Sequence, residues 1–191
     1  MNGVDAVVIG ASAGGVAALF KVLGGLPQGF AIPVLCVLHL PDDRHSQLAE
    51  VLQRKIGRPV REALDKATIE PGLIYVAGPG YHLSVEGDLS LSLSQEAPVH
   101  FSRPAIDFLF TSAADAYRAG LLGVLLTGAN EDGAQGLAYI KQCGGRTVVQ
   151  DPEDAQVALM PEAALALHSP DHILSLSGIG QLLATLEARA C

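Results

Sequence analysis

The chain has 191 residues, of which 49% are hydrophobic and only 17% charged, with a net charge of −8. That length and composition describe one folded domain with a large core and exclude a disordered chain. The negative charge argues against a nucleic-acid surface and against docking on an anionic membrane.

The elements alternate along the chain. Val4–Ile9 reads as a buried strand that runs into the glycine-rich turn Gly10-Ala11-Ser12-Ala13-Gly14-Gly15. A helix over Gly14–Leu23 follows and stops at Gly24-Gly25-Leu26-Pro27. Ala31–Leu38 reads as the second strand, ended by His39, with Pro41 holding Leu40 extended. A helix is expected over His45–Ile56, then short strands at Val60–Ala63 and Leu73–Ala77. Tyr81–Val85 and Leu89–Leu93, linked through Gly87-Asp88, alternate apolar and polar residues as an antiparallel hairpin does. The remainder reads as helix Pro104–Tyr117, strand Leu121–Leu126, helix Ala134–Cys143 and strand Thr147–Val149. Helix Pro161–Leu167, strand His172–Leu176 and helix Ile179–Ala190 close the chain. Strands alternating with helices imply an α/β fold: a doubly wound, mostly parallel sheet flanked by helices, with the hairpin at one edge.

The N-terminal residues have no basic region, and the first apolar run is too short to span a bilayer, so a cytoplasmic protein is expected. The cysteines Cys36, Cys143 and Cys191 form no CxxC pair, which suits free thiols in structural roles. The histidines show no metal-ligand spacing; His168 and His172 are separated by Pro170.

The first turn places Ser12 at a strand end before a helix N-terminus, where backbone amides converge. A dinucleotide fingerprint would need glycine at position 12 and an acidic residue after the second strand. The chain has Ser12 and His39 there, and no Gly-Lys-Ser/Thr for a P-loop. Functional residues of parallel sheets collect at the strands' C-terminal ends. Ser12, His39 and Asp132, in the loop after Leu121–Leu126, all fall there. They are the parts of a nucleophile, a base and an orienting carboxylate. Their order matches neither the trypsin-like, the subtilisin-like nor the α/β-hydrolase arrangement, and there is no G-x-S-x-G elbow. A plainer reading of each stays open: Ser12 as a helix cap, His39 bonded to backbone, Asp132 in an Asx-turn or cap.

A series of segments resembles one family, the chemotaxis protein-glutamate methylesterases (CheB). Gly10–Gly15 resembles its G-A-S-T-G-G, and Leu38-His39-Leu40-Pro41 its Q-H-M-P. Tyr75–Leu83 is similar to Y-x-A-P-x-x-Y-H-L, and Arg103–Phe110 to R-P-S-V-D-x-L-F. Leu126–Ala134 resembles L-T-G-M-G-x-D-G-A, and Gln150-Asp151 and Met160-Pro161 fall at two further signatures. The matches come in order over almost the whole chain. The resemblance implies hydrolysis of glutamate γ-methyl esters on cytoplasmic helices of chemoreceptors, and deamidation of certain glutamines. It implies Ser12 as nucleophile, His39 as base and Asp132 as orienting acid, with no cofactor.

Several positions depart from the family pattern. Ala13 replaces a threonine, Ala129 a methionine that helps line the site, and Asn130 a glycine. A roomier pocket and an extra hydrogen bond from Asn130 are expected. Leu38 and Leu40 replace glutamine and methionine, so a more apolar rim is expected around His39, and Asp42–His45 replaces a segment that usually holds phenylalanine and threonine. Family members commonly carry an N-terminal receiver domain; here the first strand begins at Val4, so one catalytic domain over 1–191 is expected, controlled, if at all, by a separate protein. The same fold used only to bind a receptor or signalling partner is the alternative, and the intact Ser12, His39 and Asp132 speak against it. Arg103 is expected either to bind a carboxylate at the site mouth or to tie down the hairpin. His82 and Tyr81 are expected to pack at the hairpin, Asp107 to pair on a helix surface, and Asp151 to cap a turn.

Overall fold

The computed structural model describes residues 3–39 and 47–188. Seven parallel strands form one sheet in the order β3-β4-β2-β1-β7-β8-β9. These are β1 (Ala6–Ala11), β2 (Val34–Leu38), β3 (Val60–Glu62), β4 (Ile74–Val76), β7 (Leu121–Leu125), β8 (Arg146–Gln150) and β9 (His172–Leu174). The central strands are buried along their whole length, as parallel strands covered on both faces must be. The expected hairpin is β5 (His82–Val85) and β6 (Leu91–Ser94), which form a two-stranded antiparallel sheet of their own.

Period-two alternation sorts each strand's side chains between two cores. Val7, Ile9 and Ala11 of β1, with Val34, Cys36 and Leu38 of β2, face α1 (Gly15–Leu23), α2 (Leu48–Ile56) and α6 (Leu176–Ala184). Ala6, Val8, Leu35 and Val37 face the other way, onto α3 (Ile106–Tyr117), α4 (Ala134–Gln142) and α5 (Leu159–Leu167). The hairpin lies against α3, with Leu83, Val85 and Leu91 sealed in that second core.

The expected elements are present, with boundaries shifted by a few residues. Strand β1 starts at Ala6 because Val4 instead bridges to Ala188. Helix α3 starts at Ile106, beyond Pro104, and α6 ends at Ala184. Helix α2 is described from Leu48; the expected start at His45, the segment Leu40–His45, Ala190 and Cys191 lie outside the described residues. Cys36 is fully buried, and burial pushes its thiol up to about 12, which leaves it inert and structural.

The strand order fixes where a site can form. The chain leaves β1 for β2 on one side and later returns to β7 on the other. The crevice beyond the C-terminal ends of β2, β1 and β7 is the switch point of the sheet.

Candidate active site

Three loops meet in that crevice. The register pairs Ala11 of β1 with Leu38 of β2, so Ser12 and His39 leave neighbouring strands side by side. The His39 amide donates to the Ala11 carbonyl at 3.1 Å. The Ser12 amide donates to the carbonyl of Thr127, which follows β7, at 2.9 Å. The segment Ala11–Ser12 is thereby stitched to both adjoining strand ends through backbone alone.

The turn at Ser12 depends on two glycines. Gly14 caps α1 with φ +80°, the left-handed region that glycine enters without steric cost. Gly128 approaches so closely that a Cβ there would lie 2.4 Å from Met160 Cε and 3.0 Å from Ser12 Cβ. Thr127 binds the assembly: its hydroxyl donates to the Ala13 carbonyl at 2.8 Å and accepts from the Val157 amide at 2.9 Å. Its own amide donates to Oε1 of the fully buried Gln150 at 2.8 Å.

Asp132 is fully buried, and three donors converge on its carboxylate. His39 Nε2 lies 2.7 Å from Oδ2, the Ile106 amide donates to Oδ2 at 2.6 Å, and the Asp107 amide donates to Oδ1 at 3.0 Å. The last two are the first amides of α3, where a helix dipole favours negative charge. A bond to a carboxylate at Nε2 puts the ring proton on that nitrogen and leaves Nδ1 as the acceptor. The His39 side chain is 10% exposed.

Asp132 thus accepts from the first amides of a helix, though α3 rather than α4, and from the ring of His39. The plainer readings of the other two are not met. The Ser12 side chain caps no helix, and His39 bonds a side chain rather than backbone. The structure brings His39 and Asp132 into contact and sets Ser12 at the adjoining strand end. The Ser12 hydroxyl makes no hydrogen bond to any described residue. His39 Nδ1 instead lies 3.3 Å from the hydroxyl of Ser102, a residue the sequence did not single out. The amides of Ala13 and Gly14, at the start of α1, donate to no described residue.

Asn130 makes its expected extra bonds. Its Oδ1 accepts from the Asp132 amide at 3.2 Å and its Nδ2 donates to the His100 carbonyl at 3.4 Å. His100 thus lies beside the site, with Nδ1 3.5 Å from a Glu131 carboxylate oxygen. Ala129 is exposed. Leu38 does not make the rim apolar: it shares the strand face of Val34 and Cys36 and packs beneath Gly15 in the core. Leu40 and Asp42–His45, the other departures beside His39, lie outside the described residues.

Arg103 ties down the chain after the hairpin, its guanidinium donating to the carbonyls of Gln95 at 3.3 Å and Glu96 at 3.1 Å. His82 is buried against the hairpin, stacked 3.9 Å from Phe108, while Tyr81 is exposed. Asp151 accepts from the Glu153 amide in a turn. Asp107 differs from expectation: it is half-buried and accepts from the Gly136 amide at 2.7 Å. Burial, with the nearby charge of Asp132, pushes its carboxyl up to about 6.

Among the described residues no group of three or more His, Cys, Asp or Glu side chains is arranged to hold a metal ion. None of the described helices is long and apolar enough to cross a membrane.

Comparison with known proteins gives a consistent result. A model of the CheB methylesterase family matches residues 7–183. A putative protein-glutamate methylesterase/protein-glutamine glutaminase of Leptospira interrogans is 45% identical over 183 residues, covering 96% of this chain and 95% of that protein. The protein-glutamate methylesterase/protein-glutamine glutaminase of Clostridium acetobutylicum is 34% identical over 93% of this chain, which spans 52% of that longer protein. The crystal structure of the Thermotoga maritima CheB methylesterase catalytic domain superposes with a TM-score of 0.89 at 30% identity, covering 96% of this chain and 98% of that one.

Proposed function

From the premise that the chain belongs to the CheB methylesterase family, we propose that it hydrolyses γ-methyl esters of glutamate on the cytoplasmic helices of a chemoreceptor or similar sensory protein. Deamidation of glutamine by the same acyl-enzyme route is part of the proposal, and the cytoplasm is where such a substrate would be met. The observation that carries it is the His39–Asp132 pair: a buried carboxylate held by two helix amides, bonded to a histidine beside a serine whose hydroxyl bonds no described residue.

In this reading Ser12 Oγ attacks the ester carbonyl while its proton passes to Nδ1 of His39. The amides of Ala13 and Gly14 are the candidate donors to the oxyanion, since neither donates to a described residue. Collapse of the tetrahedral intermediate expels methanol, which takes its proton from His39, and leaves an acyl-serine. Water, deprotonated by the same nitrogen, then releases the glutamate carboxylate and restores Ser12. Asp132 keeps the ring in the tautomer that exposes Nδ1 and stabilises the imidazolium formed in each half-reaction.

The test is methanol release from a methyl-esterified receptor cytoplasmic fragment by the wild type and by Ser12→Ala. Loss of the nucleophile is expected to cost about 10⁶ in turnover. Release by neither protein, with both folded, would replace this reading with the non-catalytic docking role.

A further inference from the structure

Ser102 stands where Ser12 must later act. With Nε2 of His39 engaged by Asp132, Nδ1 offers a single in-plane lone pair. That lone pair faces the Ser102 hydroxyl at 3.3 Å, while the Ser12 hydroxyl bonds no described residue. The carbonyl of His100 lies farther from the Ser102 hydroxyl, at 3.5 Å, so the nitrogen is the better acceptor of its one proton.

The segment bearing Ser102 is built to hold it there. Val99 and Ser102 exchange backbone hydrogen bonds of 3.1 and 2.8 Å across a two-residue turn. The turn residues, His100 and Phe101, have φ of +47° and +63°, a left-handed conformation that costs a non-glycine residue roughly 1–2 kcal/mol. Strain of this kind persists only where the surroundings impose it. Asn130 braces the turn, bonding the His100 carbonyl with one end of its amide and the Asp132 backbone with the other. The same loop that orients His39 through Asp132 therefore also fixes the hydroxyl that occupies its free nitrogen. Phe101, at the tip of the turn, is fully exposed and is the part of this device an approaching substrate would meet.

We propose that Ser102 is a resting partner that competes for the base: its hydroxyl holds Nδ1 of His39 in the free protein, and Nδ1 is handed from Ser102 to Ser12 before attack. The inference rests on the serine-hydrolase reading above. No covalent bond changes in the handover; one hydrogen bond replaces another.

The experiment uses a small fluorophosphonate, which phosphonylates an activated serine with loss of fluoride and needs no receptor contacts. Modification of Ser12 is followed by mass spectrometry in the wild type, Ser102→Ala and Ser102→Thr. Removing a competing neutral hydrogen bond is expected to speed modification about fivefold in Ser102→Ala, while Ser102→Thr, which keeps the hydroxyl, stays at the wild-type rate. In ¹⁵N spectra the His39 Nδ1 resonance is expected to move in Ser102→Ala and to hold in Ser102→Thr, a signature that a general loosening of the turn would not give. Modification of wild-type Ser12 with Ser102→Ala no faster overturns the handover while leaving the hydrolase reading intact. An unmoved nitrogen resonance overturns the contact itself. Absence of modification in both proteins, with the resonance still dependent on Ser102, defeats the hydrolase reading and the handover with it.

Discussion

At the scale of single residues, the site is organised by Asp132. Its Oδ2 accepts from both the His39 ring and the Ile106 amide and its Oδ1 from the Asp107 amide, so an asparagine that turns its NH2 toward His39 also sets it against the Ile106 amide. Asp132→Asn is expected to keep the fold and to lower kcat by about 10⁴, the cost of presenting the wrong histidine tautomer in other serine triads. Steady-state methanol release, read beside the thermal melting curve, checks this; an unchanged kcat in a folded variant would remove Asp132 from the mechanism. Ser12, His39 and Asp132 were readable in the sequence because each ends a recognisable strand or sits in the glycine-bounded loop after one. Ser102 was not. It lies eight residues past the end of β6, in a segment with no periodic pattern, and only the folded turn brings it to His39.

At the scale of elements, the crevice holds its shape because the loops after β1 and β7 and the segment before α5 share one side chain. The Thr127 hydroxyl bonds the Ala13 carbonyl and the Val157 amide, and nothing apolar of the same shape can replace those bonds. Thr127→Val is expected to leave both groups short of a partner, to cost about 1–3 kcal/mol of stability, and to lower activity by loosening the turn at Ser12. Urea denaturation alongside methanol release checks it; a variant as stable and active as the wild type would show that the three segments are held independently. The hairpin was legible from its alternating leucines and serines, yet its attachment was not. Alternation marks one buried face, and α3 rather than the main sheet supplies the cover.

At the scale of the whole molecule, the second core includes a partly buried carboxyl that works against folding at neutral pH. Asp107 has its pKa raised from 3.8 to about 6, chiefly by burial. The folded protein therefore holds this proton more tightly than the unfolded chain does. Its contribution to stability is present below pH 3.8 and is lost as pH rises to about 6, then stays constant. A shift of that size corresponds to roughly 2–3 kcal/mol. Asp107→Asn retains an acceptor for the Gly136 amide and does not titrate. The stability difference between wild type and variant, from urea melts at pH ~3.5 and pH ~7, is expected to move in the variant's favour by that order. A difference independent of pH would show that Asp107 is solvated in solution.

Composition and alternation alone determined the α/β class, the parallel sheet and the two apolar faces of its central strands. Burial on both faces leaves a continuous hydrophobic run, and its alternation with helices points to a parallel sheet covered on both sides. The glycine-bounded turns likewise marked Ser12 and Asp132 before any contact was known. The strand order, the docking of Asp132 on α3 and the meeting of Ser102 with His39 belong to the tertiary structure. Each joins residues tens of positions apart, and such pairs are chosen by how helices pack across the sheet and where loops cross its rim, which local propensity does not encode. Leu38 shows the division within one residue: its neighbourhood in sequence suggested a rim around the histidine, and the pleat of β2 turned it into the core.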